Sequence, residues 1–157
     1  MQRARFVDQQ PDLIPLAQQG ARLAVAITQA GPEVPLPDLQ TIIRDLAGYQ
    51  RLSVTFLFDE DGDAFTTQSH EALKRLSKQI NQGAFADRMI LLTGHTASEG
   101  RFQDNRAKSI AIAEQVKEAL GVDREIALMG VGEALPRSCE DTALGRSQNQ
   151  RVEVWIR

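Results

Sequence analysis

The spacing of apolar residues changes period along the chain. Leu16, Leu23, Ala24 and Ile27 fall roughly on one helical face, which Gly31 and Pro32 close. Pro32, Pro35 and Pro37 then lack backbone donors and predict a stiff, extended connector. Leu39, Ile42, Ile43 and Leu46 follow the i, i+3, i+4, i+7 rule up to Gly48, which predicts a second, short helix. From Leu52 the period drops to two: Leu52, Val54, Phe56 and Phe58 alternate with Ser53, Thr55 and Leu57, the pattern of a strand. A domain boundary is placed near Tyr49, separating a helical lead-in, residues 1–49, from a domain over residues 50–157.

Within that domain, Thr67 is placed to cap a helix with Ala72, Leu73, Leu76 and Ile80 inward and Lys74, Arg75 and Lys78 in solvent; Asn81 and Gly83 end it. Met89 to Leu92 is a continuous apolar run, as expected of a strand covered on both faces. A polar loop follows, then a helix with Ile110, Ala113, Val116 and Leu120 on one side, ending at Gly121. Arg124 to Met129 reads as a third strand, and Val152, Val154 and Ile156 alternate in a last one. The order β-α-β-α-β-β predicts an α/β fold of the α+β kind, a two-layer sandwich of one sheet with two helices on one side. His95, Thr96, Ser98, Glu99, Arg101 and Asn105 crowd the point where strand becomes helix and backbone N–H groups are free, so a ligand site is expected there.

Composition narrows the chemistry. The net charge of -3 over 157 residues offers no basic field, so nucleic acid is not an expected partner. One cysteine, Cys139, excludes an internal disulfide and a multi-cysteine metal site. No run of about 18 apolar residues spans a bilayer, and MQRARFVDQQPDL lacks a signal-peptide core. The chain is therefore read either as cytosolic or as a piece whose export signal lies further upstream. Asp59, Asp61 and Asp63 have the first spacings of a calcium loop. Ala64 and His70 occupy its sixth and twelfth positions, which makes the stretch an acidic surface turn, with His70 a surface residue. The chain has two histidines and no GxSxG, P-loop or HExxH motif. His95 beside Glu99 as a base is set aside in favour of a structural role. No catalytic residue, metal or cofactor is expected.

Four strings, VTFLFD at 54–59, TGHT at 93–96, GVGEALP at 130–136 and GRSQNQRVEVW at 145–155, together resemble the OmpA-like C-terminal domain. That family includes the periplasmic domains of OmpA, the Pal lipoprotein and MotB, which anchor their carriers to peptidoglycan. The resemblance covers residues 50–157. It implies a βαβαββ fold with a pocket for the meso-diaminopimelate of the peptidoglycan stem peptide, formed by the loop after the second strand and the start of the following helix. The family pattern there is GHTD, a glycine, then NxxLSxxRAxxV. Gly94, His95, Thr96, Gly100, Asn105, Ser109, Ala113 and Val116 match it, and Asn149 and Arg151 match the last motif, whose residues support or border the pocket; the alternative for these two is a strand-end hydrogen bond and a surface charge.

Three positions depart: Ala97 replaces the loop aspartate, Ile112 the helix arginine and Lys108 the helix leucine. The family's aspartate and arginine answer the ligand's ammonium and carboxylate with charge-assisted hydrogen bonds of about 1.5–3 kcal/mol each. Losing both weakens binding by roughly two to four decades. Glu99 or Asp104 can stand in for the carboxylate and Arg101 or Arg106 for the guanidinium, or all four are solvated charges. The resemblance implies a non-catalytic, periplasmic module of the cell envelope, its peptidoglycan binding weakened or altered. The alternative is an interaction or oligomerisation module, with a protein partner or a homodimer contact at Ile112. The first 49 residues resemble the tail of phosphate-type periplasmic solute-binding proteins, which implies a longer envelope protein.

Overall fold

The computed structural model describes residues 36–59 and 63–157. The expectations for the lead-in, the first helix, the solute-binding tail and the proline connector up to Pro35 lie outside the described residues, as does Asp61 of the acidic turn. A compact unit runs from Pro32 to Arg157. It contains, in order, α1 Leu36–Leu46, β1 Gln50–Leu57, α2 Thr67–Asn81, β2 Ile90–His95, α3 Phe102–Leu120, β3 Ala127–Gly132, α4 Ala143–Asn149 and β4 Arg151–Ile156. The four strands form one sheet in the order β1-β4-β2-β3, with β4 antiparallel to both neighbours and β2 parallel to β3.

Alternation along the strands sorts side chains to two faces. Phe56, Ile90, Leu92, Val152, Val154 and Ile156 point to one face. There they pack with Leu73, Leu76 and Ile80 of α2 and Ile112, Ala113, Val116 and Leu120 of α3. This is the expected sandwich. Leu91 and Val131 point to the other face, where α1 buries Ile42 and Leu46 against them. The helix read from the sequence as part of the lead-in thus belongs to the same compact unit, because its apolar stripe has the second sheet face to cover. All six residues of β2 are buried, as its apolar run demands.

Local chemistry moves several boundaries. Thr66, not Thr67, caps α2, its hydroxyl accepting from Ser69 N at 3.2 Å. Ser69 Oγ in turn joins the helix to the end of β1, accepting from Leu57 N at 2.8 Å and donating to Leu57 O at 2.9 Å. In the acidic turn, Asp59 Oδ1 accepts from the backbone of Asp63 and Ala64 at 3.1 and 3.3 Å, the usual work of a turn aspartate. His70 is exposed, its ring edge on Phe65. The inward stripe of α3 is Asn105, Ser109, Ile112, Ala113, Val116 and Leu120. Ile110, read as inward, is 39% exposed and leans over the edge strand β3 at Gly130. The third strand begins at Ala127 rather than Arg124, whose guanidinium instead ties down the carbonyls of Phe85 and Arg88. Between β3 and β4 stands α4, absent from the expected βαβαββ order. It is seven residues long, buries only Gly145 and Asn149, and has no apolar stripe to announce it.

Candidate functional site

Parallel strands β2 and β3 end side by side, with Gly94 opposite Gly130 and His95 opposite Gly132. The chain leaving β2 must turn sharply to start α3, which crosses so close that a Cβ on Gly94 would lie 1.7 Å from the Ser109 carbonyl oxygen. Loop residue Thr96 stays attached to β3 through its N–H to Gly132 O at 2.9 Å. Ser109 Oγ accepts from Gly132 N at 3.0 Å, joining helix to strand end.

Polar groups are buried at this junction. Asn105 Nδ2 donates to Glu133 Oε2 at 2.6 Å. Glu133 Oε1 and Thr96 Oγ1 are both buried and have no hydrogen-bond partner. Burial pushes the Glu133 carboxyl up from its ordinary range and the nearby Glu140 charge adds to this, while the Asn105 bond pulls the other way. The loop between β3 and α4 closes the rim. Glu140 accepts from Ser98 N at 3.2 and 3.0 Å, from Ser98 Oγ, and from Asn149 Nδ2 at 2.7 Å. Burial raises the Glu140 pKa, but the Ser98 and Asn149 bonds and the Arg146 charge outweigh it, so the carboxyl lies below its ordinary range.

Asn149 is the scaffold of this rim. Its Oδ1 accepts from the N–H groups of Arg137 at 2.7 Å and Ser138 at 2.9 Å, and its Nδ2 also donates to Ser138 O at 2.9 Å. Arg146 NH1 donates to Glu140 O at 2.9 Å, and its Nε lies 3.8 Å from Glu99 Oε1.

Of the residues singled out in the sequence, Thr96, Ala97, Asn105, Ser109 and Asn149 belong to this junction. Glu99, Arg101 and Asp104 are exposed, and Arg106 points to Asp38 of α1 at 3.7 Å. Ile112 does not line the junction. It is 7% exposed and part of the core between sheet and helices, so it offers no surface to a partner. The sequence reading does not single out Glu133, Glu140 or Arg146. Glu133 and Arg146 lie within two of the quoted strings, but Glu140 carries no sequence signal, because only folding brings its loop to Ser98.

His95 and Arg151 sit on the opposite face of the sheet. They share it with Thr93, Glu153 and Trp155, by the alternation that sends Leu92, Val152 and Val154 to the helices. His95 Nε2 is 3.0 Å from Thr93 Oγ1, which also accepts from Trp155 Nε1 at 3.0 Å. The same nitrogen is 3.7 Å from Glu153 Oε2, and Nδ1 is buried without a partner. Burial first, then the Arg151 and Arg51 charges, lower the His95 pKa to about 3. The imidazole is therefore neutral at physiological pH.

The lowered pKa has a measurable consequence. Below pH 6.5 the unfolded chain takes up a proton at this position that the folded chain refuses, so stability is complete above 6.5 and falls as pH drops toward about 3. Between pH 7.5 and pH 5 the loss is about 2 kcal/mol. Urea midpoints at the two pH values are expected to show it, and His95→Gln is expected to remove that part of the slope. The raised Glu133 acts in the opposite sense in both proteins and cancels from the comparison. Equal slopes for the two proteins would refute the assignment.

No family model matches the chain. No curated protein matches it either. Solved structures do. The peptidoglycan-associated lipoprotein from Burkholderia pseudomallei superposes with a TM-score of 0.58 at 22% identity, over 69% of this chain and 91% of that one. The C-terminal domain of Helicobacter pylori MotB gives 0.56 at 22% identity, over 66% and 85%. The cell wall anchor of the T6SS from Pseudomonas aeruginosa gives 0.50 at 20% identity, over 76% and 94%. The residues that meet at the end of β2 and β3 thus sit on a mixed α/β scaffold, and its fold is the one seen in OmpA-like domains.

Proposed function

We propose that this chain is a non-catalytic module of the cell envelope. It works in the periplasm and associates with the peptidoglycan stem peptide at the junction of β2, β3 and α3. The observation that carries this reading is the coincidence of two independent findings. The fold is shared with a peptidoglycan-associated lipoprotein and a cell wall anchor, and two buried polar groups without a partner, Thr96 Oγ1 and Glu133 Oε1, belong to the strand-to-helix junction that the OmpA-like resemblance singles out. Ala97 and the core-facing Ile112 remove two charged anchors of that pattern, so binding is weaker than the pattern implies or differs in specificity. The residues ahead of α1 join the module to a larger envelope protein; their resemblance to a solute-binding tail supports this.

The test is co-sedimentation with purified sacculi that contain meso-diaminopimelate. The chain is expected in the pellet at low ionic strength and is expected to leave it as free diaminopimelate is added. A chain that stays in the supernatant at low salt overturns the proposal.

A further inference from the structure

We propose that the open edge of β1, with the cleft it forms against α2, receives an extended acidic segment of a partner protein, paired to β1 as an added strand. This goes beyond the peptidoglycan reading and does not depend on it. β1 stands at one end of the sheet order, away from the junction of β2 and β3.

The strand supplies the first observation. Among the described residues β1 has one neighbour, β4, so its other side is unpaired along an eight-residue strand. Leu57 shows which backbone groups face that side, because its N–H and C=O bond the Ser69 hydroxyl of α2. Alternate residues of an antiparallel strand turn their backbone groups the same way, and the register with β4 is regular from Thr55 to Leu57. Thr55 therefore presents its N–H and C=O to the open side, where no described side chain takes them as Ser69 takes those of Leu57. Such an edge is a template for a further strand.

A cleft of about 610 Å³ runs along this edge. Leu52 and Val54, which pack against the core, line it together with Ser53 and Thr55, so it follows the backbone edge and not one face of the sheet. Ala72 and Leu76, one turn apart on α2, line its apolar wall.

Charge selects the occupant. The described lining residues include Arg75 and Arg137 and no carboxylate. Both arginines are exposed, and neither joins an ion pair among the described residues. The Arg137 guanidinium reaches Thr55 Oγ1 at 3.5 Å, on the edge itself. Arg51 of the same strand differs, since it lies 3.5 Å from Glu153 Oε1. In a chain of net charge -3, two guanidiniums without a carboxylate on one cleft favour a ligand that brings carboxylates. They also count against a second copy of this chain: β1 laid on β1 brings arginine toward arginine, and QRLSVTFL holds no acidic residue to answer them. The occupant is a strand whose backbone pairs at Thr55, whose acidic side chains meet Arg75 and Arg137, and whose apolar side chains lie on Leu52, Val54 and Leu76.

The test is an NMR titration of the 157-residue chain with four probes. They are an end-blocked hexapeptide of alternating glutamate and valine, the same peptide N-methylated at every residue, its lysine and valine counterpart, and glutarate. The first is expected to shift the amides of Ser53, Thr55 and Leu76, and the other three to bind there at least tenfold more weakly. Arg75→Glu and Arg137→Glu are each expected to weaken the acidic peptide about tenfold, and the double variant to bind the lysine peptide instead. Both side chains are outside the core, and unchanged thermal unfolding is the control for folding.

No shift of these amides with the acidic peptide overturns the inference. So do equal shifts with its N-methylated form or with glutarate, and binding untouched by both variants. Shifts of the same amides on raising the protein concentration alone would assign the edge to a second copy and overturn it as well.

Discussion

Gly94→Ala is expected to remove a large share of the stability of the folded state. The added Cβ would stand 1.7 Å from the Ser109 carbonyl oxygen and 2.6 Å from its carbon. Both are backbone atoms in the middle of α3, so no side-chain rotation relieves the clash. The strand cannot retreat, because β2 is hydrogen-bonded to β3 on one side and to β4 on the other, and all six of its residues are buried. The helix can move only by surrendering the Ser109 Oγ bond to Gly132 N and the Asn105 bond to Glu133.

Overpacking a core typically costs about 1–3 kcal/mol when side chains can adjust. Here they cannot, and the cost is expected to exceed ~3 kcal/mol, a large share of the ~5–15 kcal/mol that holds a domain together. Circular dichroism and urea unfolding of the variant measure it. Gly83→Ala is the comparison, since a Cβ there meets nothing within 4 Å and only the positive φ of 91° resists it; it should lose about 1–2 kcal/mol. A Gly94→Ala chain with a wild-type urea midpoint would show that α3 does not cross β2 as described.

Arg151→Met is expected to be the most damaging change that keeps every backbone contact possible. The Arg151 Nε–Glu153 Oε1 pair is 2.8 Å long, and both side chains are almost fully buried on the sheet face opposite α2 and α3. Removing one partner of such a pair leaves an uncompensated buried charge and costs about 3–5 kcal/mol. Arg51, 3.5 Å from the same oxygen but partly in solvent, keeps some compensation, so the lower end of that range is expected.

Arg151 also donates to the carbonyls of Asn149 at 3.2 Å and Leu135 at 3.1 Å, which pin both ends of the loop that carries Glu140. The variant should therefore loosen the rim of the candidate site as well as the sheet, visible as faster hydrogen exchange in residues 135–149. Arg151→Met with Glu153→Leu should regain much of the lost stability, because two apolar side chains replace the pair without stranding a charge. If the double variant is no better than the single one, the loss comes from the carbonyl bonds and not from the ion pair.

Much of this was legible in one dimension. The period-two run of β1, the apolar run of β2 and the stripes of α1 and α2 appear where spacing puts them, because burial of one face forces a periodicity that composition records directly. The three-residue late start of β3 and the one-residue error at the α2 cap are end effects, decided by where Arg124 and Thr66 find partners. Helix α4 left no trace, since a helix held by the Thr142 cap and the buried amide of Asn149 needs no apolar stripe.

For the candidate site, the sequence by itself singled out a place, the strand-to-helix junction after Thr93, and put Ala97 and Ile112 where the OmpA-like pattern has charged residues. It could not decide which residues meet there. His95 and Thr96 are neighbours in the chain, yet strand alternation sends His95 to the far face with Arg151 and Glu153, while Thr96 is left at the junction with Gly132. Glu140 stands 42 residues from Ser98 and still supplies its partner carboxylate. Local spacing encodes which face a residue takes, because that follows from backbone geometry. Which distant loop closes over a strand end depends on packing between elements, and only the tertiary structure decides it.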